Sequence, residues 1–442
     1  MNSRLRMGPM FAIVGYLFFG VCIATFGPLE YKGYEAVSVF AFMLFVAIFF
    51  IVGFTLGSRT KAPAHAIWKK KQNPAVLAFV FRVSLFTSSL LMTYELLSAA
   101  LSGGLHFSLA SSAYAYINSY TDYVRNSGNY SLNFIITSLG AFPLFIAQVL
   151  GIFYYRTLDR PSRIALIYLF VVTVLVDTLG GGKQKQFGDI IIYVVSVVLA
   201  KRAATGSLSL AKLVKVGFFV LAGMYVMLAL LAFRYQAIGV NLSDLNNHLH
   251  PLIHYNKGYW MENVLGGALA FPLVMFSGYL GQGYFGLSLS LEQPFIWTHF
   301  AGSSYSVSVI VNRLFGAEFW VKESYPYRVG SATGWDESKW HTVFSWLASD
   351  LTFPGVVVFM GVVGFIYGRA WREILLFQNP FSVMIFAMMN IGWAYAPANN
   401  QLMHSPGALT TTLGTLLIYF LFHANFNAAP TNLKALNFRP RR

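Results

Sequence analysis

Residues 36–56 read AVSVFAFMLFVAIFFIVGFTL, a run of 21 residues that contains no charged side chain. A helix needs about 20 apolar residues to cross the hydrocarbon core of a bilayer. Several runs of the same character occur along the chain, which predicts an all-α polytopic membrane protein with roughly 10–12 transmembrane helices. The predicted spans are 9–29, 36–56, 76–101, 132–154, 163–180, 187–200, 213–233, 342–367, 381–397 and 407–424.

The composition supports this class over the whole length of the chain. Hydrophobic residues make up 56% of the 442 residues and charged residues only 11%, whereas soluble domains contain about 25% charged residues. This deficit excludes a soluble globular fold. The single cysteine, Cys22, lies within an apolar run and excludes an intramolecular disulfide.

The formal net charge of +15 does not indicate nucleic-acid binding, because the basic residues lie in short clusters between the apolar runs. Of the 31 Lys and Arg residues, 20 fall in alternate loops and the two termini. Cytoplasmic loops of membrane proteins carry such an excess of positive charge. We therefore expect both termini to be cytoplasmic. The loops that carry the excess are 57–75, 155–163, 201–215 and 369–380.

This orientation predicts three regions: N-terminal transmembrane helices in 1–233, a large external segment in 234–341, and C-terminal helices with a cytoplasmic tail in 342–442. The external segment contains an apolar stretch, 264–291, that includes Pro272 and several glycines. Such residues rarely suit an uninterrupted span. We expect one helix that lies in the membrane interface, and a re-entrant pair of helices is the alternative.

A glycine-rich turn, Gly180-Gly181-Gly182-Lys183-Gln184-Lys185, precedes the sixth predicted span. The N-terminus of that helix would face outward, and helix N-termini with glycines and lysines are suited to binding anions. Arg234, at the end of the seventh span, lies at the same depth. We expect Lys183, Lys185 and Arg234 to bind a diphosphate at headgroup depth. Snorkelling lysines on an ordinary turn are the alternative.

The external segment ends in the run Trp340-His341-Thr342-Val343-Phe344 and leads to Asp350. His341 stands at the mouth of the eighth span, where an imidazole can accept a proton near neutral pH. Asp350 lies deeper and on the opposite helix face. An ionisable group at that depth is a functional candidate, although it can also simply pair with a neighbouring basic group.

Metal and nucleotide sites are not favoured. Pro251 interrupts the histidines His248, His250 and His254, and no cysteine or carboxylate motif completes a zinc set. The glycines of the external segment lack the strand–helix unit of a dinucleotide-binding fingerprint. We expect no cofactor and no metal.

Four parts of the chain resemble the Wzy-type polymerases of O-antigen and related oligosaccharide repeat units. Their residues are Gly180–Lys183, Tyr279–Leu291 with Tyr325-Pro326-Tyr327-Arg328, and Trp340–Gly355. The resemblance implies a GT-C-like membrane glycosyltransferase of lipopolysaccharide biosynthesis in the bacterial inner membrane, with its active site facing the periplasm. Such enzymes use undecaprenyl-diphosphate-linked oligosaccharides as donor and acceptor, without metal or nucleotide sugar.

The resemblance also implies roles for residues and partners. Lys183, Lys185 and Arg234, together with Arg328, would stabilise the leaving diphosphate. His341 would be the base, with Asp336 or Glu337 as the second choice. A Wzz-type chain-length co-polymerase and a Wzx-type flippase would be the protein partners, and membrane lipids would surround the chain.

Two other functions remain open from the sequence. O-antigen ligases carry a histidine in a His-Asn-x-aromatic pattern, and here Thr342 stands at the asparagine position. A transporter or flippase of lipid-linked oligosaccharides would place its charged residues around a cavity at the membrane midplane. Most ionisable groups of this chain lie outside the predicted spans, which favours the glycosyltransferase.

Overall fold

The computed structural model describes residues 3–60, 74–108, 110–116, 118, 132–206, 209–316 and 318–422. Within this part the elements, in chain order, are α1 (Ser3–Phe26), β1 (Leu29–Tyr31), α2 (Ala36–Arg59), α3 (Pro74–Leu101), α4 (Leu132–Tyr154), α5 (Arg160–Leu175), a π-helical turn (Val176–Gly180), α6 (Lys185–Ala204), α7 (Leu210–Ala237), a 3-10 helix (Leu242–Asn247), β2 (Ile253–Tyr255), α8 (Trp260–Leu265), α9 (Gly267–Leu291), α10 (Tyr305–Phe315), α11 (Glu318–Lys322), α12 (Tyr325–Thr333), α13 (Val343–Phe377), α14 (Pro380–Tyr395) and α15 (Pro406–Phe422).

The protein is an all-α polytopic membrane protein. Every predicted span is a helix, and seven helices of the described chain are long and apolar enough to cross a membrane. The seven are α1, α2, α3, α4, α5 with its π turn, α7 and α13. Two others, α14 and α15, are apolar but have only 16 and 17 residues. The remaining one, α6, carries charged residues at both ends.

Two helices, α2 and α13, pack closely against each other. A Cβ atom on Gly53 would lie 1.9 Å from the carbonyl oxygen of Gly361, and one on Gly57 would lie 2.1 Å from that of Phe365. Only glycine permits so close an approach of the two backbones. Residue numbers increase in the same direction along both helices, from the pair Gly53 and Gly361 to the pair Gly57 and Phe365, so α2 and α13 are parallel.

Strand β2, between α7 and α13, lies at the same end of the bundle as the connection between α1 and α2. There β1 pairs antiparallel with β2, with Leu29 opposite Tyr255. We call this the external end, following the orientation that the charge pattern predicts. At the opposite end Arg6 donates a hydrogen bond to Ser58, 3.3 Å away.

The apolar stretch of the external segment forms one continuous helix, α9, with Pro272 inside it. One helix is what the sequence predicts for this stretch, and its glycines do not interrupt it. Instead, the glycines permit close packing: a Cβ on Gly283 would lie 1.6 Å from the carbonyl oxygen of Pro397. The hydroxyl of Tyr284, which is fully buried, donates to the carbonyl of Leu17 in α1. This helix is therefore buried within the bundle rather than lying on its surface.

Candidate functional site

The glycine-rich turn joins the π-helical turn to α6 at the external end. Asp177 holds it: the main-chain oxygen of Asp177 accepts from the amides of Gly181 and Lys183, at 3.2 and 3.0 Å. Its carboxylate accepts from the amide of Gln186 in the first turn of α6, at 2.9 Å. The chain's own carboxylate thus occupies one of the amides at the N-terminus of α6, so that this amide is not available to a diphosphate.

Arg234 reaches this turn from the end of α7. Its guanidinium donates to the carbonyl oxygen of Gly182, and only 5% of the residue is exposed. Gly182 has a φ of +61°, and a Cβ there would lie 2.3 Å from the carbonyl oxygen of Ser112. Within the described chain the Nε atom of Arg234 has no hydrogen-bond partner. A buried arginine with a donor to spare is suited to an additional oxygen ligand.

Lys185 forms an ion pair with Asp189, one helical turn further along α6. The hydroxyl of Tyr395 donates to the same carboxylate at 3.1 Å, and the Lys185 ammonium lies 5.5 Å from the centre of the Tyr395 ring. Lys183 and Lys185 are both within electrostatic reach of Asp177. These three cations lie together with the carboxylates of Asp177 and Asp189, and the group has a formal net charge of +1. We call this group the cation corner.

An open cavity adjoins this corner. Its volume is about 590 Å³, which is within the ~300–1,000 Å³ typical of ligand sites. The two glycines at the start of the turn form part of its wall, and four other lining residues carry aromatic, hydroxyl or amide groups that suit sugar hydroxyls. The lining residues are His106, Ser111, Tyr114, Ala115, Asn118, Gly180 and Gly181.

Two tyrosines connect the corner to the loop that precedes α13. The hydroxyls of Tyr116 and Tyr279 are 2.9 Å apart, and the ring of Tyr279 lies 5.4 Å from that of Trp340. Tyr116 is also within electrostatic reach of Arg234. The cation corner and the loop 335–341 are thus separated by only two side chains.

His341 is fully buried in that loop. Its Nε2 atom bonds the carbonyl oxygen of Asp336 at 3.0 Å, and burial lowers the pKa of His341 to about 4. Its Nδ1 atom has no hydrogen-bond partner in the described chain. Gly286 of α9 lies against this atom, because a Cβ on Gly286 would be only 2.9 Å from it. The ring at the mouth of this span is therefore enclosed by protein, and its lowered pKa disfavours proton uptake near neutral pH. The periodicity of one helix could not reveal that α9 covers the ring.

The second-choice carboxylates, Asp336 and Glu337, are both half-buried in the same loop. The Asp336 carboxylate accepts from the backbone amide of Ser338 at 3.0 Å and from its hydroxyl. These carboxylates retain the solvent access that His341 lacks.

Arg328 binds a different part of the external segment. Its Nη2 atom donates to the carbonyl oxygen of Pro294 at 2.6 Å, and its Nε atom to that of Glu323 at 3.0 Å. Its guanidinium also lies over the ring of Tyr325. In this structure its contacts fix the external segment.

Asp350 is 7% exposed and accepts hydrogen bonds from a loop rather than from a basic group. Thr298 donates through its hydroxyl, and Ser303 donates through its amide at 2.7 Å and its hydroxyl at 2.6 Å. Two residues further on, Thr352 has a φ of +62°, where α13 is kinked ahead of Pro354. The carboxylate thus fixes the loop 298–303 to the kinked end of α13.

Sequence reasoning missed His404, which lies in the connection between α14 and α15. Its ring stacks on Tyr305, with centroids 5.6 Å apart. Burial, and then the charge of Lys185, lowers the pKa of His404 to about 4. No local motif marks this histidine. Asp189 could have been found, because it follows Lys185 by four residues in a helix.

The histidines near Pro251 diverge. His250 bonds the carbonyl oxygen of Gly334 at 3.1 Å, whereas His254 lies in β2 opposite Glu30. Among the residues that the structure describes, no group of three His, Cys, Asp or Glu side chains is placed to hold a metal ion.

The chain matches no protein-family model, no curated protein and no solved structure.

Proposed function

We propose that this protein is a GT-C-like membrane glycosyltransferase that polymerises undecaprenyl-diphosphate-linked oligosaccharide repeat units into O-antigen or a related surface polysaccharide. The observation that carries the proposal is the corner at the external end. There Lys183, Lys185 and Arg234 meet beside an open cavity whose wall contains hydroxyl, amide and aromatic groups. The diphosphate would bind to the cations, and the sugar attached to it would bind to the polar and aromatic wall of the adjoining cavity.

The reaction transfers the growing chain from its lipid diphosphate to a hydroxyl of the next repeat unit. The bond between the anomeric carbon and the diphosphate oxygen breaks, and a bond from that carbon to the acceptor oxygen forms. Negative charge develops on the departing diphosphate, and placed cations that stabilise such charge commonly make the largest contribution to catalysis. Within the described chain the Nε atom of Arg234 has no partner and can donate to the diphosphate. Lys185 would exchange its bond to Asp189 for one to phosphate.

The acceptor hydroxyl must lose its proton, and a positioned base typically contributes ~10²–10⁴ in rate. In this proposal Asp336 or Glu337 takes that proton, because both are half-buried on the loop connected to the corner through Tyr279. His341, enclosed behind them, holds the loop through its bond to the Asp336 carbonyl.

The same proposal places the protein in the bacterial inner membrane, with cytoplasmic termini and the corner facing the periplasm. Lipid-linked repeat units must reach that face before they react, so a Wzx-type flippase supplies the substrate. A Wzz-type co-polymerase sets the length of the product. The reaction requires neither a nucleotide sugar nor a metal ion.

Gel analysis of the surface glycan in a deletion strain tests the function in cells. A polymerase deletion leaves lipid A core with a single repeat unit, because units are still made, flipped and ligated. A bare core would instead identify a ligase, and repeat units retained inside the membrane would identify a flippase. Either of these results would contradict the proposal.

A further inference from the structure

Three rings stand in a row on the external segment, and we call them the aromatic row: Trp297, His299 and Trp320. The ring centroids of Trp297 and His299 are 4.4 Å apart, and those of His299 and Trp320 are 5.4 Å apart. Trp297 remains 43% exposed. The row therefore has aromatic surface that a ligand can contact.

The backbone that carries the row is strained. His299 and Phe300 are consecutive residues with φ values of +54° and +65°, in the left-handed region that residues other than glycine rarely adopt. Phe300 is 69% exposed, so burial of its ring does not offset the strain. Strained conformations of this kind persist only where the surroundings determine them, and they cluster at functional sites.

Hydrogen bonds to two charged side chains, Asp350 and Arg328, fix the conformation of this loop. The buried carboxylate of Asp350 accepts from Thr298 and Ser303, which flank the two strained residues. At the start of the loop Arg328 donates to the carbonyl oxygen of Pro294. The loop is thus fixed on both sides of Trp297, and the row is formed before any ligand arrives.

We propose that the aromatic row is a binding subsite for a sugar ring of the acceptor saccharide, and that Asp350 is its positioning residue. The inference rests on the proposed function and specifies where the acceptor is held. The C–H groups on the apolar face of a pyranose ring pack against the face of an exposed aromatic ring, whose surface is apolar and carries partial negative charge. Because the rings of the row are already held in place, they lose less conformational entropy when the sugar binds.

The position of the row relative to the cation corner fits an acceptor subsite. Asn400 donates to the carbonyl oxygen of Ser303 at 2.7 Å, so the loop rests on the connection 396–405. On this connection His404 is within electrostatic reach of Lys185. One connection therefore separates the row from the corner, which leaves room for a saccharide to extend between them.

The surroundings of the row favour a saccharide over the membrane interface. An imidazole stands in the middle of the row, and the exposed carboxylate of Glu292 begins the same loop. Both prefer water and hydroxyl groups to hydrocarbon. The loop is also held by at least four hydrogen bonds, which fix the rings in place.

The test measures binding of one probe, the lipid-free surface polysaccharide of the producing cells, trimmed to a few repeat units, to the purified full chain in detergent. Trp297→Ala and Asp350→Asn should each weaken the affinity about tenfold. The double variant should be no weaker than Trp297→Ala alone, because Asp350 acts through the row. Phe319→Ala is the matched control: this ring of α11 is 51% exposed and outside the row, so its removal should leave the affinity unchanged.

Unchanged affinity in Trp297→Ala, or no binding by the wild type, would overturn the proposal. So would quenching by brominated phosphatidylcholine in nanodiscs that is stronger in the wild type than in Trp297→Ala. The difference isolates Trp297 from the other eight tryptophans, and it would assign the row to the membrane. If Asp350→Asn does not fold, Thr298→Val removes one donor to the same carboxylate and should give a smaller loss. Because this assay contains no lipid-linked donor, it separates the subsite from the proposed transferase activity. Binding at the row without transfer would contradict only the activity, and transfer without binding at the row only the subsite.

Discussion

Burial determines the chemistry of His341. The imidazole is fully buried, and its pKa is lowered from the usual 6.5 to about 4 because the charged form would lose its hydration. The ring is therefore neutral at physiological pH, with Asp336 as its hydrogen-bond partner. In this environment the histidine stabilises a loop rather than exchanging protons with solvent.

A pH dependence of stability follows from the lowered pKa. The unfolded chain binds a proton at His341 more readily than the folded chain, so this contribution is complete above about pH 6.5 and is lost as the pH falls towards about 4. The difference amounts to ~3 kcal/mol at the acidic limit. Thermal unfolding in detergent at pH 7.5 and 4.5 should show a smaller loss of stability in His341→Gln than in the wild type.

The His341→Gln variant still contains His404, whose pKa is lowered to about the same value and which should therefore also contribute to the loss of stability in acid. His404→Gln should reduce the acid loss independently, and the two variants together should reduce it further. Equal acid sensitivity of His341→Gln and the wild type would show that the buried imidazole does not contribute to the pH dependence.

The candidate cations show what a sequence can and cannot predict about single residues. Lys183, Lys185 and Arg234 were expected in one layer because the ends of successive spans share a depth, and in the structure they share one corner. Their partners were not predicted. The bond between Asp177 and Gln186, and that between Tyr395 and Asp189, depend on turn geometry and on contacts between distant segments.

At the scale of elements, hydrophobic length predicted the helices well because a span must satisfy its backbone internally. The predicted span 187–200, for example, is the core of Lys185–Ala204. Helix α9 is one continuous helix although it contains glycines that rarely suit an uninterrupted span. Their function is close packing, which depends on a partner that the local sequence does not contain: Gly283 faces Pro397, more than a hundred residues away.

Replacing one such glycine should disturb the external end. Gly283→Ala would place a Cβ atom 1.6 Å from the carbonyl oxygen of Pro397, so the connection 396–405 must move. Overpacking of this kind typically costs ~1–3 kcal/mol, measurable as a lower thermal midpoint in detergent. Gly267→Ala is the control on the same helix, because nothing lies within 4 Å of its Cβ position. If both variants unfolded like the wild type, the close packing of α9 would be contradicted.

At the scale of the whole molecule, the positions of the polar residues give the bundle two different ends. One end carries basic side chains such as Arg6 and Lys201, which bond Ser58 and the carbonyl of Phe153. The other carries the cation corner, the cavity and the aromatic row. The positive-inside pattern predicts that the first end is cytoplasmic.

Cysteine labelling checks this orientation. In a Cys22→Ala background, Lys257→Cys and Thr205→Cys would place single exposed thiols at opposite ends of the bundle. An impermeant maleimide should label Lys257→Cys in intact spheroplasts and Thr205→Cys only after the membrane is permeabilised. Labelling of Thr205→Cys in intact spheroplasts, with Lys257→Cys protected, would reverse the orientation.

Reconstitution of the purified protein with lipid-linked repeat units tests the central claim most directly. We expect a ladder of lengthened saccharides and release of lipid diphosphate, without nucleotide sugar and in the presence of a chelator. Lys183→Ala and Arg234→Ala should each slow the reaction roughly 10–100-fold, since a lost charge-assisted contact costs ~1.5–3 kcal/mol. Lys257→Ala, an exposed lysine of the external segment, should not. The absence of any ladder from the wild type, or full activity of the Lys183 and Arg234 variants, would contradict the account.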